Sequence, residues 1–485
     1  MNQQNKIDRT AVYDRKDYDM ISKKLAQEVL NAGLATGADF AEIFIEETEV
    51  ENLSLDNGNC ETATNSIIFG AGIRLLNKLQ SVYGYTNDLS KRGLMKLAQS
   101  LSSSFSEERK VTVHSIRKQN VKKHHRPRVD YDAISKADKI AYLMKGSDAA
   151  KSVDERIVRV MAGFLIRAQH VHIFNSEGKY IEDLRVRGRA FISAVASSGG
   201  AIESAFTGPG ASKGFEFFSD DIDIVEVGKE TAKSALTMLE AKECPSGKMP
   251  VIIGNGFGGV IFHEACGHSL EASSVSKNLS VFSGKLGQKI ASDIVSAVDD
   301  GTIEGAWGSE NVDDEGNPTH RNVLIKNGVL TSYLIDAFNG RRMNAEENGA
   351  SRRQSYKYEP TSRMSNTFIL PGTSTPEEII AATKFGLYAK QLGGGSVNPA
   401  TGEFNFAANE AYIVKNGKIA YPVKGATLIG SGKEVLMKID MIANDLERAQ
   451  GMCGAASGSI PTDVGQPTIR VSEMTVGGRG EKING

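Results

Sequence analysis

The stretch that most restricts this chain is HEACGH, His263 to His268, set within VIIGNGFGGVIFHEACGHSLEASS. Two histidines with a glutamate directly after the first are the residue types of a metal-dependent hydrolytic site. Imidazoles hold such an ion and a carboxylate handles protons beside it. The spacing is unusual. On a helix of 3.6 residues per turn, histidines four apart stand about 40° from each other, whereas five apart opens the angle to about 140°. A regular helix would point His263 and His268 apart. The pattern therefore predicts one wide turn, bonded i to i+5, of the kind that collects at functional sites. Gly267 is expected to let the backbone distort there.

Two imidazoles leave a catalytic zinc one protein ligand short. The candidates are Cys266 inside the motif, Glu271 just after it, and Cys453 in GMCGAASG. In a helix Cys266 points away from at least one of the histidines. Cys453, with glycines close by on both sides, has freer geometry. The competing reading is two unrelated histidines on a buried helix, in a chain that binds without catalysing.

GNGFGG, just upstream, places Gly254, Gly256 and Gly259 in the G-x-G-x-x-G pattern of a dinucleotide-binding turn, after a strand and before a helix. No second buried parallel strand with an acid at its tip follows, so no nucleotide cofactor is expected.

Along the chain, apolar spacing predicts an amphipathic helix from about Asp17 to Leu34, with Ile21, Leu25, Val29 and Leu30 on one stripe. Alternating strands and a second helix follow, making an amino-terminal α/β two-layer unit over residues 1–110. A β-rich middle region over 111–224 holds one helix and long strands joined at NSEG. His170 and His172 share a strand face there, a position that suits cross-strand packing. The basic run RKQNVKKHHRPRVDYD, with His124 and His125, reads as a solvated connector, because no aromatics interleave with its charges. Residues 225–485 open with a helix and continue as a glycine-rich, mostly antiparallel β domain that carries the metal-binding helix. Its KNG sequences are hairpin turns. The fold class is α+β.

The chain has 57 Lys plus Arg against 59 Asp plus Glu, so no net field would draw nucleic acid or an anionic membrane. The polar amino terminus lacks a signal peptide's apolar core, and no stretch is apolar enough to span a bilayer. Four scattered cysteines fit a reducing compartment. A cytoplasmic protein is expected.

The segments HEACGHSLEA, NVDDEGNPTHRNVLIKNGVL, RRQSYKYEPTSRMSNTFILPG, GGGSVNPATGEFNF, PVKGATLIG and GMCGAASG together resemble the TldD/PmbA family of peptidases, specifically its HExxxH-bearing TldD-type subunit. The resemblance covers essentially the whole chain. It implies zinc held by His263, His268 and Cys453, with Glu264 as general base. It also implies hydrolysis of unfolded polypeptides or peptides inside a chamber made by two subunits, as a homodimer or as a heterodimer with a PmbA-like subunit. The alternative within the family is a non-catalytic peptide-binding subunit. Arg352, Arg353, Tyr356, Tyr358 and Arg363 lie in a family-typical segment where either oxyanion stabilisation or structural pairing is expected.

Overall fold

The computed structural model describes residues 20–398 and 401–483. The expected start of the first helix at Asp17 lies outside them. Helix α1, Lys23–Gly33, begins where the Ser22 side chain accepts the Leu25 N–H, and it buries Ala26, Val29 and Leu30. Strands β1 (Phe40–Asp56) and β2 (Asn59–Asn77) form a long hairpin whose Asn57 and Gly58 both take positive φ, as a two-residue turn between right-twisted strands requires. Strand β3 (Gln80–Thr86) and helix α2 (Lys91–Ser102) complete the first unit.

The middle region contributes helix α3 (Lys136–Lys151) and strands β4 (Ile157–Asn175), β5 (Lys179–Ser198) and β6 (Ala201–Thr207). β4 pairs with β1 along nearly its whole length, from Asn175 opposite Glu42 to Met161 opposite Asp56. The first two units therefore share one sheet, ordered β3-β2-β1-β4-β5-β6. Helix α4, Ile224–Leu239, expected at the head of the last domain, packs instead with α3 over this sheet, burying Ile224, Ala232 and Ala235 in the same cluster as Phe164 and Ile192.

The basic connector is no solvated loop. The backbone N–H groups of His124 and His125 both donate to Asn311 Oδ1, and those of Arg128 and Val129 donate to Glu216. His125 is buried, its Nδ1 accepts the Gly305 N–H, and burial lowers its pKa to about 4. These contacts tie the segment to the sheet and to the last domain, which a run of like charges does not reveal. His172 is buried against Tyr180, within the packing expected of it.

The carboxyl-terminal region contains two larger sheets. In one, Gly247–Ile253, Ile469–Gly477, Thr427–Ser431, Glu403–Lys415 and Phe385–Val397 pair in a ring that closes on itself. The other has six strands and ends at the hairpin of Glu447–Ala455 and Gly458–Gln466. Both KNG turns are present, with positive φ at Asn327 and Gly328 and at Asn416 and Gly417. Among the described residues no helix is long and apolar enough to cross a membrane.

A buried ionic layer joins the last region to the first sheet. Arg74 is fully buried between Glu42 at 3.0 Å and Glu315 at 2.6 Å, while Arg353 reaches Glu42 at 2.6 Å and Arg185 reaches Asp314 at 2.6 Å. Separating these charges would strand each in a low-dielectric interior, so the layer fixes how the sheet meets the carboxyl-terminal region.

Candidate metal centre

Strand Gly247–Ile253 leads through a 3-10 turn into a short helix at Val260–Phe262, and His263–Gly267 then forms a single π turn. The His268 N–H donates to His263 O, the i to i+5 bond that the motif's spacing demands. The extra residue in the turn brings the imidazoles together, with ring centroids 5.0 Å apart and planes at 84°. Gly267 acts differently from expectation. Its φ and ψ of -53° and -54° suit any residue. A Cβ built there would lie 2.1 Å from Met364 Sδ, so close packing is what excludes a side chain.

The upstream glycines also face protein. A Cβ on Gly254 would sit 2.3 Å from Lys390 O, and one on Gly259 would sit 2.4 Å from the Gly465 backbone. They allow the strand and turn to press against neighbouring strands.

Cys453 arrives from the six-stranded sheet's edge strand, opposite Ile460. Its Sγ lies 3.2 Å from His263 Nε2 and 3.2 Å from His268 Nε2. The three donors all fall within 4.8 Å of one another. Tetrahedral zinc with Zn–N near 2.05 Å and Zn–S near 2.3 Å sets N and S about 3.5 Å apart. Both sulfur–nitrogen distances lie within a few tenths of an ångström of that value. Burial opposes ionisation of the Cys453 thiol, but the imidazoles of His263 and His268 outweigh it and bring it down to about 3, the thiolate form a metal needs.

The other two third-ligand candidates do not join the cluster. Cys266 is fully buried among Ile261, Phe262, Val435 and Leu436, where burial pushes its thiol far up. Glu271 stands behind His268: its Oε2 is 3.2 Å from Nδ1, the nitrogen turned away from Cys453. Burial disfavours the His268 cation, yet the Glu271 carboxylate and the Cys453 sulfur raise its pKa well above the ordinary value. A carboxylate in that position fixes ring orientation and increases donor strength at the far nitrogen. Glu264, partly exposed, holds Oε2 3.7 Å from His268 Nε2, on the donor side of the ring.

Arg363 is the residue whose role the sequence left open. Fully buried, it donates from Nη2 to Cys453 O at 2.6 Å and from Nη1 to Ser457 Oγ and Gly458 O, both at 2.9 Å, with Nε 3.8 Å from Glu271 Oε1. One guanidinium thus spans the cysteine hairpin and the carboxylate behind His268. Arg352 and Arg353 are likewise buried, paired with Glu310 and Glu42, which assigns them to the ionic layer.

Models of three domains of one family match the chain in order: PmbA/TldA metallopeptidase domain 1 over residues 41–105, the central domain over 130–239, and the C-terminal domain over 246–478. The metalloprotease TldD homologue of Haemophilus influenzae is 35% identical over 448 residues, covering 91% of this chain and 93% of that protein. Its counterpart in Buchnera aphidicola of Schizaphis graminum is 34% identical over the same length and shares. The crystal structure of TldE from Thermococcus kodakarensis superposes with a TM-score of 0.75 at 17% identity, over 93% of this chain and 99% of that one, a likeness of fold. With all three domains in order and two full-length relatives above 30% identity, the chain belongs to the PmbA/TldA metallopeptidase family.

Proposed function

We propose that this chain is a zinc-dependent peptidase in which His263, His268 and Cys453 hold the ion and Glu264 is the general base. The supporting observation is the convergence of two imidazoles and a thiol, from segments 185 positions apart, to within 4.8 Å of one another. Bound there, zinc supplies Lewis acidity that polarises a carbonyl and lowers the pKa of water towards neutrality. Glu264, directly after a ligand and 3.7 Å from His268 Nε2, takes a proton at Oε2 and returns it to the leaving amine. Glu271 holds the His268 ring, and Arg363 holds the backbone of Cys453, so the donors are positioned before the ion arrives.

Unfolded polypeptides or peptides are the proposed substrates, since an extended main chain can pair with strand edges whatever its side chains. The proposed assembly is a homodimer or a heterodimer with a PmbA-like subunit. Metal analysis and peptide cleavage test the reading together. Purified protein is expected to hold close to one zinc per chain, Cys453→Ala to lose it, and Glu264→Gln to keep zinc while losing cleavage. Zinc-loaded wild type inactive on every unfolded peptide would leave the non-catalytic binding subunit as the reading.

A further inference from the structure

The first sheet turns one face to the metal domain, where Phe44, Val171, Ile173 and Ile181 meet Val312 and Tyr356. Its opposite face is covered at both ends and open between them. α1 and α2 pack over Ile43, Ile45 and Ile73, whereas α3 and α4 pack over Leu53, Phe164 and Ile192. Alternation along β1 puts Glu47, Glu49 and Glu51 on the same face as Ile45 and Leu53, in the gap. Register aligns Ile67, Glu49, Ala168 and Val186 across four strands there.

A cavity of about 150 Å³ opens on this floor, walled by the 127–132 segment. The floor is apolar, from Ile166, Ala168, Leu184 and Val186, and the rim carries Glu49, Glu51, Asp130 and Asp132. Lys139 pairs with Glu51 Oε2, but Oε1 of that carboxylate, on a residue only 8% exposed, has no hydrogen-bond partner among the described residues. Beside the cavity the sheet edge is open. β3 pairs with β2 only from Ala71 to Asn77, so among the described residues no strand lies on the outer side of residues 59–70. Residues 59–67 include a single charge, Glu61, and no proline, and Ile67 is 68% exposed. An edge without such guards is a template for another strand.

We infer that this edge and cavity form a docking site for an extended, cationic polypeptide segment. Its backbone pairs with β2, one Lys or Arg stem lies over Ile67 at the β2 side of the cavity, and the charge sits at Glu49 and Glu51 on the next strand. A cavity of this size takes a single side chain, being that of an engineered pocket that binds benzene. A second copy of this chain is the poorer occupant, because pairing two such edges brings two acidic rims together. The site stands on the side of the sheet away from the metal residues and does not depend on the peptidase reading.

Fluorescence anisotropy of the full chain with a labelled peptide alternating Val and Lys, and with its Val and Glu counterpart, tests the site. The lysine peptide is expected to bind with an affinity that falls as salt rises, and the glutamate peptide not to bind. Glu49→Gln, at a half-buried position, and Ile67→Lys, at an exposed one, are each expected to weaken binding about tenfold while leaving metal content unchanged, and Ile67→Lys to leave the melting temperature unchanged as well. Equal binding of the two peptides, or no effect of either variant, overturns the inference. So does a self-associated chain that Ile67→Lys dissociates, which would give the edge to a second copy.

Discussion

Gly267→Ala is the substitution for which local propensity and tertiary packing make opposite predictions. Ala is about 1 kcal/mol better than Gly within a helix, so the π turn considered alone would gain stability. The new methyl carbon would stand 2.1 Å from Met364 Sδ and 3.1 Å from Met364 Cε. Ordinary carbon contact needs about 3.5 Å or more, so sulfur and methyl must part by about 1.4 Å. Met364 is fully buried, and its backbone carbonyl is held by Arg352 Nη1 at 2.8 Å, so the side chain has to adopt a new rotamer in a filled core. Such overpacking costs about 1–3 kcal/mol, which exceeds the propensity gain. Any share of the strain absorbed by the turn moves His268, whose Nε2 is 3.2 Å from Cys453 Sγ. Gly267→Ala is therefore expected to lower both the melting temperature and zinc affinity, measured by chelator competition. Met364→Ala in the same chain should recover much of the affinity, because it removes the opposing sulfur. Unchanged zinc affinity in Gly267→Ala, or no rescue in the double variant, would refute this account of the glycine.

Glu271→Gln should weaken zinc binding about 10- to 100-fold by removing the carboxylate behind His268, and an unchanged dissociation constant would exclude that role. Arg74→Met leaves Glu42 and Glu315 buried without their shared cation and should cost about 3–5 kcal/mol in urea unfolding, with part of the loss recovered in acid as the carboxylates take protons. Asp463 supplies a pH test: burial, only partly countered by Arg448, lifts its pKa to about 6. The native chain then keeps a proton that the unfolded chain releases near pH 3.9, so stability falls as pH rises from about 4 to about 6, by roughly 3 kcal/mol at most. Asp463→Asn should flatten this part of the stability profile, and a profile that keeps its slope would show that the carboxyl is not responsible.

Local order left clear marks. The Ser22 cap, the β1–β2 turn at Asn57 and Gly58, both KNG hairpins and the stripe of α1 are short-range features, and each follows from a few neighbouring residues. The burial of the connector around His124 and His125 is not legible in sequence, because its partners, Asn311, Glu216 and Gly305, lie far along the chain and a charged run has no local sign of burial. The apolar face of α4 shows that it packs, while its choice of α3, β5 and β6 as partners, in place of the domain that follows it, is made by tertiary contact.

At the candidate metal centre the division is sharper. Two histidines five apart compel a wide turn if they are to share an ion, because side-chain direction on a helix is fixed by residue count alone, and this much is contained in six letters. Which third group stands opposite them is a matter of meeting in space. Cys266, nearest in sequence, is turned into the apolar core, Glu271 braces the reverse of a ring, and Cys453 comes in on the edge of another sheet. Backbone stereochemistry acts over a few residues and can be read from order; the approach of distant donors depends on how sheets and the buried Arg–Glu layer seat one against another, and only the folded chain decides that.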